Sequence, residues 1–455
     1  MKWKRLKLST TRIIALGFLI GILIGSILLY LPISSKNGNP LSYIDALFVA
    51  TSAICVTGLS TVTLVEQFTV FGQIVILLLI QFGGLGIVTF TTTVLLLLKK
   101  RIGFSDRMLI QDAYNLDTLD GLVKLTIKIL KGTFIVEGVG AFFYLFLFVP
   151  QYDIIKGVYY SIFHSISAFC NAGMDLLGST SLIAYQTNTY MNIVTMSLIV
   201  VGGIGFPVWW DLLLVGSKAL KKEIKWRLCW RKFSLHTKLV LTTTLYLIVI
   251  GTVLVFIFEY HNPNTMASFS FGEKIMASLF QSVTTRTAGF ATIPQENFTE
   301  ATSFLSLLLM FIGGSPSSTA GGIKTVTIAL ILLSTRSLVF GKKDIEVFGR
   351  YISENYLRRG LAILMVSFSC LVISTMLLSY VEQKDMLTVL YETTSAFATV
   401  GLTRGLTTTL SEVGKGIVIF SMYLGRIGPI TLALAFNTKK HRNEGRLPEG
   451  KILIG

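Results

Sequence analysis

Residues 47–60 read LFVATSAICVTGLS, and the pattern returns as IFHSISAFCNAGMD (162–175), LFQSVTTRTAGFAT (279–292) and LYETTSAFATVGLT (390–403). Set against one another without a gap, the windows share an aromatic second residue: Phe48, Phe163, Phe280 and Tyr391. Each carries a hydroxyl at the sixth place, namely Ser52, Ser167, Thr284 and Ser395. Each also has a glycine at the twelfth place or one before it: Gly58, Gly173, Gly289 and Gly401, spaced 115, 116 and 112 residues apart. Self-similarity at so steady a period marks a fold built from four copies of one unit.

Working outward, an apolar run lies on either side of every window. The runs before them read as helices over 12–33, 126–149, 237–259 and 359–380, and those after as helices over 69–97, 189–216, 303–335 and 413–436. The second set shares a small-residue waist: FGGLG (82–86), VGGIG (201–205), IGGSP (312–316) and LGRIG (424–428). The windows are too short to span a membrane, since about a dozen helical residues cover about 18 Å of a hydrocarbon core roughly 30 Å thick. They must re-enter, and non-helical backbone at that depth is tolerated only inside protein or along a water-filled cavity. The expectation is an all-α integral membrane protein with eight transmembrane helices. It comprises four fused helix–pore-helix–filter–helix repeats around a pseudo-fourfold ion pore. Residues 1–455 form one membrane domain, with repeats at about 10–110, 111–235, 236–350 and 351–440 and a cytoplasmic tail at 441–455.

Composition agrees. Of 455 residues 52% are hydrophobic and only 14% charged, and the mean hydropathy is +0.69, against about a quarter charged in soluble domains. The net charge of +16 is not spread evenly. Basic residues gather at Lys2–Lys7, Lys99–Arg101, Lys218–Lys238, Arg336–Lys343 and Lys439–Arg446, while the alternate connections are poor in them. That is the positive-inside pattern, and it puts both termini in the cytoplasm. No basic face interleaved with aromatics speaks for nucleic acid. The four cysteines (Cys55, Cys170, Cys229, Cys370) form neither a CxxC pair nor a metal spacing. The apolar start, Ile13 to Ile33, reads as a retained first helix and not a signal peptide. Without HExxH or a triad-like cluster, nothing points to an enzyme.

The chemistry suits a monovalent cation. Glycine turns back at positive φ and lets backbones approach closely, and rings of carbonyl oxygens can replace a hydration shell. The candidate filter residues are Val56, Thr57 and Gly58; Asn171, Ala172 and Gly173; Thr287, Ala288 and Gly289; and Thr399, Val400 and Gly401. The competing reading, glycines that merely pack helices, fits one glycine and not four at one period. Asp175 reads equally as a charge concentrating cations at the outer mouth and as an exposed loop residue.

The third inner helix is broken in the middle by Gly313, Gly314, Ser315, Pro316, Ser317, Ser318, Thr319, Ala320, Gly321, Gly322, Ile323 and Lys324. Two Gly-Gly pairs, a proline and hydroxyls end a helix. Residues 313–324 therefore read as a mobile loop under the filter that gates the pathway; a kinked helix without function is the plainer alternative. Gly321–Thr325 imitates a phosphate-binding loop, but an isoleucine separates glycine from lysine and no strand precedes it. Arg426 stands where the other waists have Gly84, Gly203 and Gly314. A charge at mid-membrane costs about 2.5–3.5 kcal/mol and marks function by default. It would repel a cation and bond the loop, or else pair with a carboxylate. Lys324 is a candidate second charge there. Arg286 reads as support behind the filter with Glu392 as one candidate partner, His164 as a packed residue, and Glu137 and Asp211 carry no assigned role.

With these residues in view, the four windows resemble the filters of the Trk/Ktr/HKT superfamily of cation transporters, over about residues 10 to 437. The chain opens directly on the first repeat and so resembles a bacterial Ktr-type membrane subunit. The resemblance implies potassium as the transported ion, because Gly58 stands where a serine would admit sodium, and no organic cofactor. It implies that 313–324 is the intramembrane gating loop, with Pro316 a departure, that Arg426 belongs to the gate, and that Arg286 is structural support. It also implies a homodimer in the lipid of the bacterial plasma membrane, docked on an octameric cytosolic ring of nucleotide-binding regulatory subunits. The chain has no GxGxxG nucleotide site of its own. Its basic loops 218–238 and 336–350 and its tail are candidate docking surfaces, and Ile452–Gly455 could reach a dimer partner. Sodium dependence stays open, and a secondary transporter working by alternating access is the competing class.

Overall fold

The computed structural model describes residues 10–36, 41–86, 89, 92, 122–342 and 344–428. The expected repeat boundary near 110, the tail and Ile452–Gly455 lie outside the described residues. Fourteen helices longer than one turn are described. The first eight are α1 (Thr10–Tyr30), α2 (Tyr43–Cys55), α3 (Val70–Leu85), α4 (Leu122–Gln151), α5 (Ile154–Cys170), α6 (Thr189–Gly203), α7 (Phe206–Leu220) and α8 (Leu235–Glu259). The rest are α9 (Phe271–Thr284), α10 (Glu300–Phe311), α11 (Thr325–Val339), α12 (Glu354–Glu382), α13 (Met386–Ala398) and α14 (Glu412–Ile427). The chain is not wholly helical. Ile345–Val347 (β1) and Arg350–Ile352 (β2) form an antiparallel hairpin in a stretch read as a basic loop. Phe348 and Gly349 both take positive φ there, as a tight two-residue hairpin turn requires.

Among the described residues, four helices, α1, α4, α8 and α12, are long and apolar enough to cross a membrane. Their outward faces are lined by exposed Leu19, Ile24, Phe134, Phe146, Val249, Ile257, Phe368 and Met376. The interior, by contrast, holds many hydroxyls: Thr51, Ser52, Ser167, Thr284, Ser306 and Ser395 are fully buried. Apolar groups outside and hydrogen-bonded polar groups inside suit a molecule whose solvent is lipid.

Local signals start the elements. Thr69, Asn188, Thr299 and Ser411 each cap the helix that follows a window, accepting from the N–H of Gly72, Met191, Thr302 and Gly414. Buried Glu259, at the end of α8, binds the backbone N–H and hydroxyl of Thr299 (3.0 and 2.7 Å), which joins the two long elements of its repeat.

The second helices differ from expectation. They read as spans continuous through the waist except in the third repeat, yet every waist is a break. α3 ends at Leu85 and α14 at Ile427, with Gly86 and Gly428 at φ +81° and +88°. α6 and α7 meet at 100° around Gly205, itself at φ +92°. Glycine at positive φ cannot continue a right-handed helix, so the last glycine of each of these waists is a stop. The third repeat breaks more widely, between α10 and α11, at the predicted loop.

Candidate functional site

The four windows fold as short helices, α2, α5, α9 and α13, each anchored by its aromatic second residue, which is fully buried in every case. The chain then leaves the helix through a left-handed residue: Val56 (φ 56°), Asn171 (58°), Thr287 (70°) and Thr399 (52°). Two residues later comes the glycine, also at positive φ, from 63° at Gly173 to 99° at Gly58. The gapless alignment fails in the third copy. Gly289 follows its window hydroxyl Thr284 by one residue fewer, and Ala288 N–H therefore closes on Thr284 O (2.9 Å) where Thr57, Ala172 and Val400 reach one residue further back.

The glycines come together. A Cβ added to Gly58 would lie 2.5 Å from Ala172 O, and one on Gly173 would lie 2.6 Å from Ala288 O. On Gly289 it would strike Val400 O, and on Gly401, Thr57 O. Each glycine thus faces the carbonyl of the residue before the glycine of another window, and the relation closes in a cycle through all four. The same added Cβ on Gly58 would sit 3.2 Å from Gly173 Cα and 3.3 Å from Gly401 Cα. Side chains are excluded from this meeting point, and carbonyl oxygens line it.

The sixth-place hydroxyls explain themselves here. Ser52 and Ser395 accept the N–H of Gly58 and Gly401, both at 3.0 Å. Ser167 and Thr284 donate to the carbonyl after the glycine, Met174 O and Phe290 O, both at 2.6 Å. Two windows are therefore held at the glycine and two just beyond it. Thr57 Oγ1 and Thr399 Oγ1 are buried with no partner among the described residues. The amide of Asn171 donates to Ala168 O (3.1 Å) and Ile199 O (3.2 Å).

On one side of the glycines lies a cavity of about 470 Å³. Gly58, Gly173, Gly289 and Gly401 form its floor, and Asp175 and Glu296 stand in its wall. Asp175 is half-buried. Burial pushes its carboxyl up to about 6, against the pull of the Leu177 N–H and the Ser181 hydroxyl. His164 is buried, as expected of a packed residue: Nδ1 donates to Tyr160 O (2.7 Å) and Nε2 accepts from Leu176 N–H (3.5 Å), next to Asp175 in the chain.

On the other side lies the loop from Ile312 to Lys324. Its ends are joined, with Gly313 N–H on Ile323 O (2.9 Å) and Thr325 N–H on Gly314 O (3.0 Å). The excursion between them is pinned to the second repeat. Ser315 N–H meets Gly203 O (3.0 Å), Phe206 N–H meets Ser317 O (3.0 Å), and Thr319 Oγ1 reaches Phe169 O (3.2 Å). Pro316 O packs on Gly205, where an added Cβ would lie 2.6 Å away. Ser318 Oγ donates to Ser315 O and accepts from Ala320 N–H. Gly321 lies against Thr399 and Gly322 against Ala398, so the loop touches the foot of α13 as well. Lys324 Nζ turns back to Ala320 O (2.6 Å).

Arg426 comes from the fourth repeat. Its guanidinium donates to Thr319 O (2.6 Å) and to Gly83 O. These partners are carbonyls of the loop and of the first-repeat waist, not a carboxylate. The first waist glycines have a separate reason: Gly83, Gly202 and Gly425 press on Ile54 O, Phe169 O and Phe397 O, where any Cβ would collide.

Arg286 and Glu392 are not joined by any recorded contact. Arg286 reaches Thr244 Oγ1 (3.4 Å), while Glu392 binds the hydroxyls of Thr403 (2.6 Å) and Thr407, which are nearer along its own repeat. Glu137 is buried with Gln81 (3.1 Å) and Cys170 (3.9 Å). Asp211 accepts from Ser234 N–H (2.8 Å), where the chain enters α8. Sequence reading passed over Asp45 and Lys415, an ion pair at 2.6 Å joining α2 to α14. Nothing local could reveal it, because 370 residues separate the two.

Comparison with known proteins follows the same outline. A family described as TrkH, cation transport protein, matches residues 11–445. The chain is 42% identical to the Ktr system potassium uptake protein B of Bacillus subtilis (strain 168), over 100% of this chain and 98% of that one. It is 39% identical to the potassium/sodium uptake protein NtpJ of Enterococcus hirae, over 99% and 98%. The crystal structure of the potassium transporter TrkH from Vibrio parahaemolyticus superposes with a TM-score of 0.75, at 18% identity, over 96% of this chain and 87% of that one. At that identity the likeness speaks for the fold.

Proposed function

This chain belongs to the TrkH family of cation transport proteins, a multi-pass membrane transporter and not an enzyme, and on that premise we propose how it moves its ion. Its function is potassium uptake of the Ktr/TrkH type. The finer reading is channel-like conduction through the point where Gly58, Gly173, Gly289 and Gly401 meet. One observation carries it: each glycine faces the carbonyl of the residue before another window's glycine, in a closed cycle. Four inward carbonyls without side chains are the means by which a monovalent cation can shed water and keep its coordination. The unpartnered hydroxyls of Thr57 and Thr399 add ligands of the same hard, neutral kind beside them. The C-terminal ends of α2, α5 and α13 turn toward the same region, where their dipoles favour a cation.

The loop 313–324 and Arg426 form the gate in this reading. The loop lies under α5 and α13, and Arg426 fastens it to the first repeat. A positive charge on the path opposes a cation, so the path opens when the arginine and the loop separate. The eight-span, four-repeat plan, the bacterial plasma membrane with both termini inside, the homodimer and the ring of nucleotide-binding regulators belong to the same proposal. The Ktr-system names of the relatives support the association with other subunits.

The test is cation flux from proteoliposomes holding the purified chain, with potassium, rubidium or sodium as the competing ion. Flux strongly favouring potassium and rubidium supports the carbonyl cycle as the selective element. Equal passage of sodium rejects it, and a low saturating turnover favours alternating access instead.

A further inference from the structure

Phe206, whose N–H holds Ser317 O of the loop at 3.0 Å, also opens α7. α7 leaves α6 at 100° and ends at Leu220. The chain then passes Lys221, Lys222 and Lys225 into two contiguous helical turns, Trp226–Leu228 and Cys229–Lys232, before Ser234 caps the membrane-crossing α8. Trp226 and Trp230 stand four residues apart, as do Arg227 and Arg231, so an aromatic pair and a cationic pair lie side by side. All four are exposed, Trp226 at 66% and Trp230 at 42%, and so are Leu213, Leu214 and Leu220 along α7. Among the described residues the side chains of Lys225, Arg227, Arg231 and Lys232 make no ion pair.

The end of the loop leads to the same place. α11 follows Lys324 directly, and its Ser337 Oγ donates to Asp344 O (2.6 Å) at the foot of the β1–β2 hairpin. Phe348, at the hairpin turn, meets Trp230 edge-on with ring centroids 6.1 Å apart. Two helices thus tie the loop to one basic, aromatic surface, α7 from its middle and α11 from its end.

We propose that this surface binds the headgroups of anionic phospholipid in the leaflet where α8 begins, and that lipid held there keeps the loop in place; the second half rests on the gate proposed above. Tryptophan beside arginine at the start of a crossing helix suits the headgroup layer, with rings toward the acyl carbons and guanidinium groups on phosphate. The bare leucines of α7 continue the apolar side of the same surface. A second copy of this chain is a poorer occupant, because a two-fold contact would set Arg227 and Arg231 against like charges. An acidic soluble partner matches the charge but gives no reason for bare tryptophan and leucine beside a crossing helix. Lipid pins the turns, the Trp230–Phe348 contact joins α7 to α11 there, and the loop between them loses its freedom to leave Arg426. Anionic lipid therefore lowers flux.

The experiment uses the full chain in vesicles of phosphatidylcholine with or without phosphatidylglycerol, either lipid carrying bromine on its acyl chains. The fluorescence lost in Trp226→Phe with Trp230→Phe isolates these two rings from Trp3, Trp209 and Trp210. Brominated phosphatidylglycerol should quench them about fivefold more strongly than brominated phosphatidylcholine at equal bromine, the factor one basic group near an anionic leaflet supplies. Arg227→Gln with Arg231→Gln and Lys232→Gln should remove the difference. Rubidium flux should fall as phosphatidylglycerol is added to the wild type and stay level in that triple variant. Equal quenching by the two lipids overturns the proposal. So does iodide quenching that survives in phosphatidylglycerol vesicles, which leaves the surface in water for a soluble partner, or disulfide capture of two Trp226→Cys copies by each other. Flux indifferent to phosphatidylglycerol, in a chain that does conduct faster once 315–321 is excised, overturns the hold on the loop. If that excision changes nothing while the quenching difference remains, the gate fails and the lipid surface stands.

Discussion

Arg426 Nη1 donates to Thr319 O at 2.6 Å, so a side chain from the last repeat holds the loop that breaks the third. Its second bond, to Gly83 O, reaches the first repeat. A hydrogen bond from a charged donor contributes about 1.5–3 kcal/mol. Arg426→Ala removes two of them together with the charge that the proposed gate sets on the path. Potassium flux in proteoliposomes should rise about tenfold or more, and a sharp fall at equal protein would contradict the gate.

Shortening the loop tests the same gate without touching the arginine. Because Gly313 N–H and Ile323 O already meet at 2.9 Å, excising 315–321 and rejoining the ends should leave α10 and α11 in place and raise flux. Unchanged flux would sink the loop as a barrier.

Gly58 has no room for a side chain, with φ at +99° and Ala172 O in the way. Gly58→Ala should lower potassium flux at least about tenfold, the equivalent of about 1.4 kcal/mol, and reduce preference over sodium. Gly138→Ala, where an added Cβ meets nothing within 4 Å, is the matched control and should behave as wild type. Parity between the two variants would remove the carbonyl cycle from the mechanism.

Asp175 supplies a pH dependence on the cavity side. Burial raises its carboxyl to about 6, above the ordinary value of about 3.9, so the group is ionised at pH 7.5 and neutral at pH 5. A unit charge several ångströms from an ion in water-like surroundings contributes roughly 0.6 kcal/mol, about threefold in affinity. Acidifying that side from pH 7.5 to 5 should raise the half-saturating potassium concentration about threefold. Asp175→Asn should start at the acid value and stay flat across the range; a variant that still titrates would assign the effect elsewhere.

The Asp45–Lys415 pair closes the seam between the first and last repeats with both side chains largely buried, at 14% and 15% exposed. Breaking such a pair leaves an uncompensated charge, at a cost of up to about 3–5 kcal/mol. Lys415→Met should lower the melting temperature in detergent. Asp45→Asn with Lys415→Met should recover part of the loss, and simple additivity in this cycle would show that the two do not interact.

Much of the molecule is legible from local pattern. Four windows with a buried aromatic, a hydroxyl and a glycine announce four short helices that turn back, because each feature answers a need inside its own window. Gly313 to Lys324 reads as a break because a proline, two glycine pairs and three hydroxyls are concentrated in twelve residues, each of them a poor helix former. The waist was read too simply. Gly86, Gly205 and Gly428 were read inside continuous helices, and nothing in their neighbours reveals a positive φ. Glu392 was one candidate partner for Arg286, yet its carboxylate binds the hydroxyls of Thr403 and Thr407.

By itself the sequence determined the repeat, the apolar character of the long helices and the place where the third inner helix is interrupted. Periodicity and composition act over short stretches of chain, so they can be read without a fold. Only the tertiary structure decided which carbonyl each glycine faces, where Arg426 lands and what ties the first repeat to the last. Those contacts join residues more than a hundred positions apart, and only packing brings such groups together.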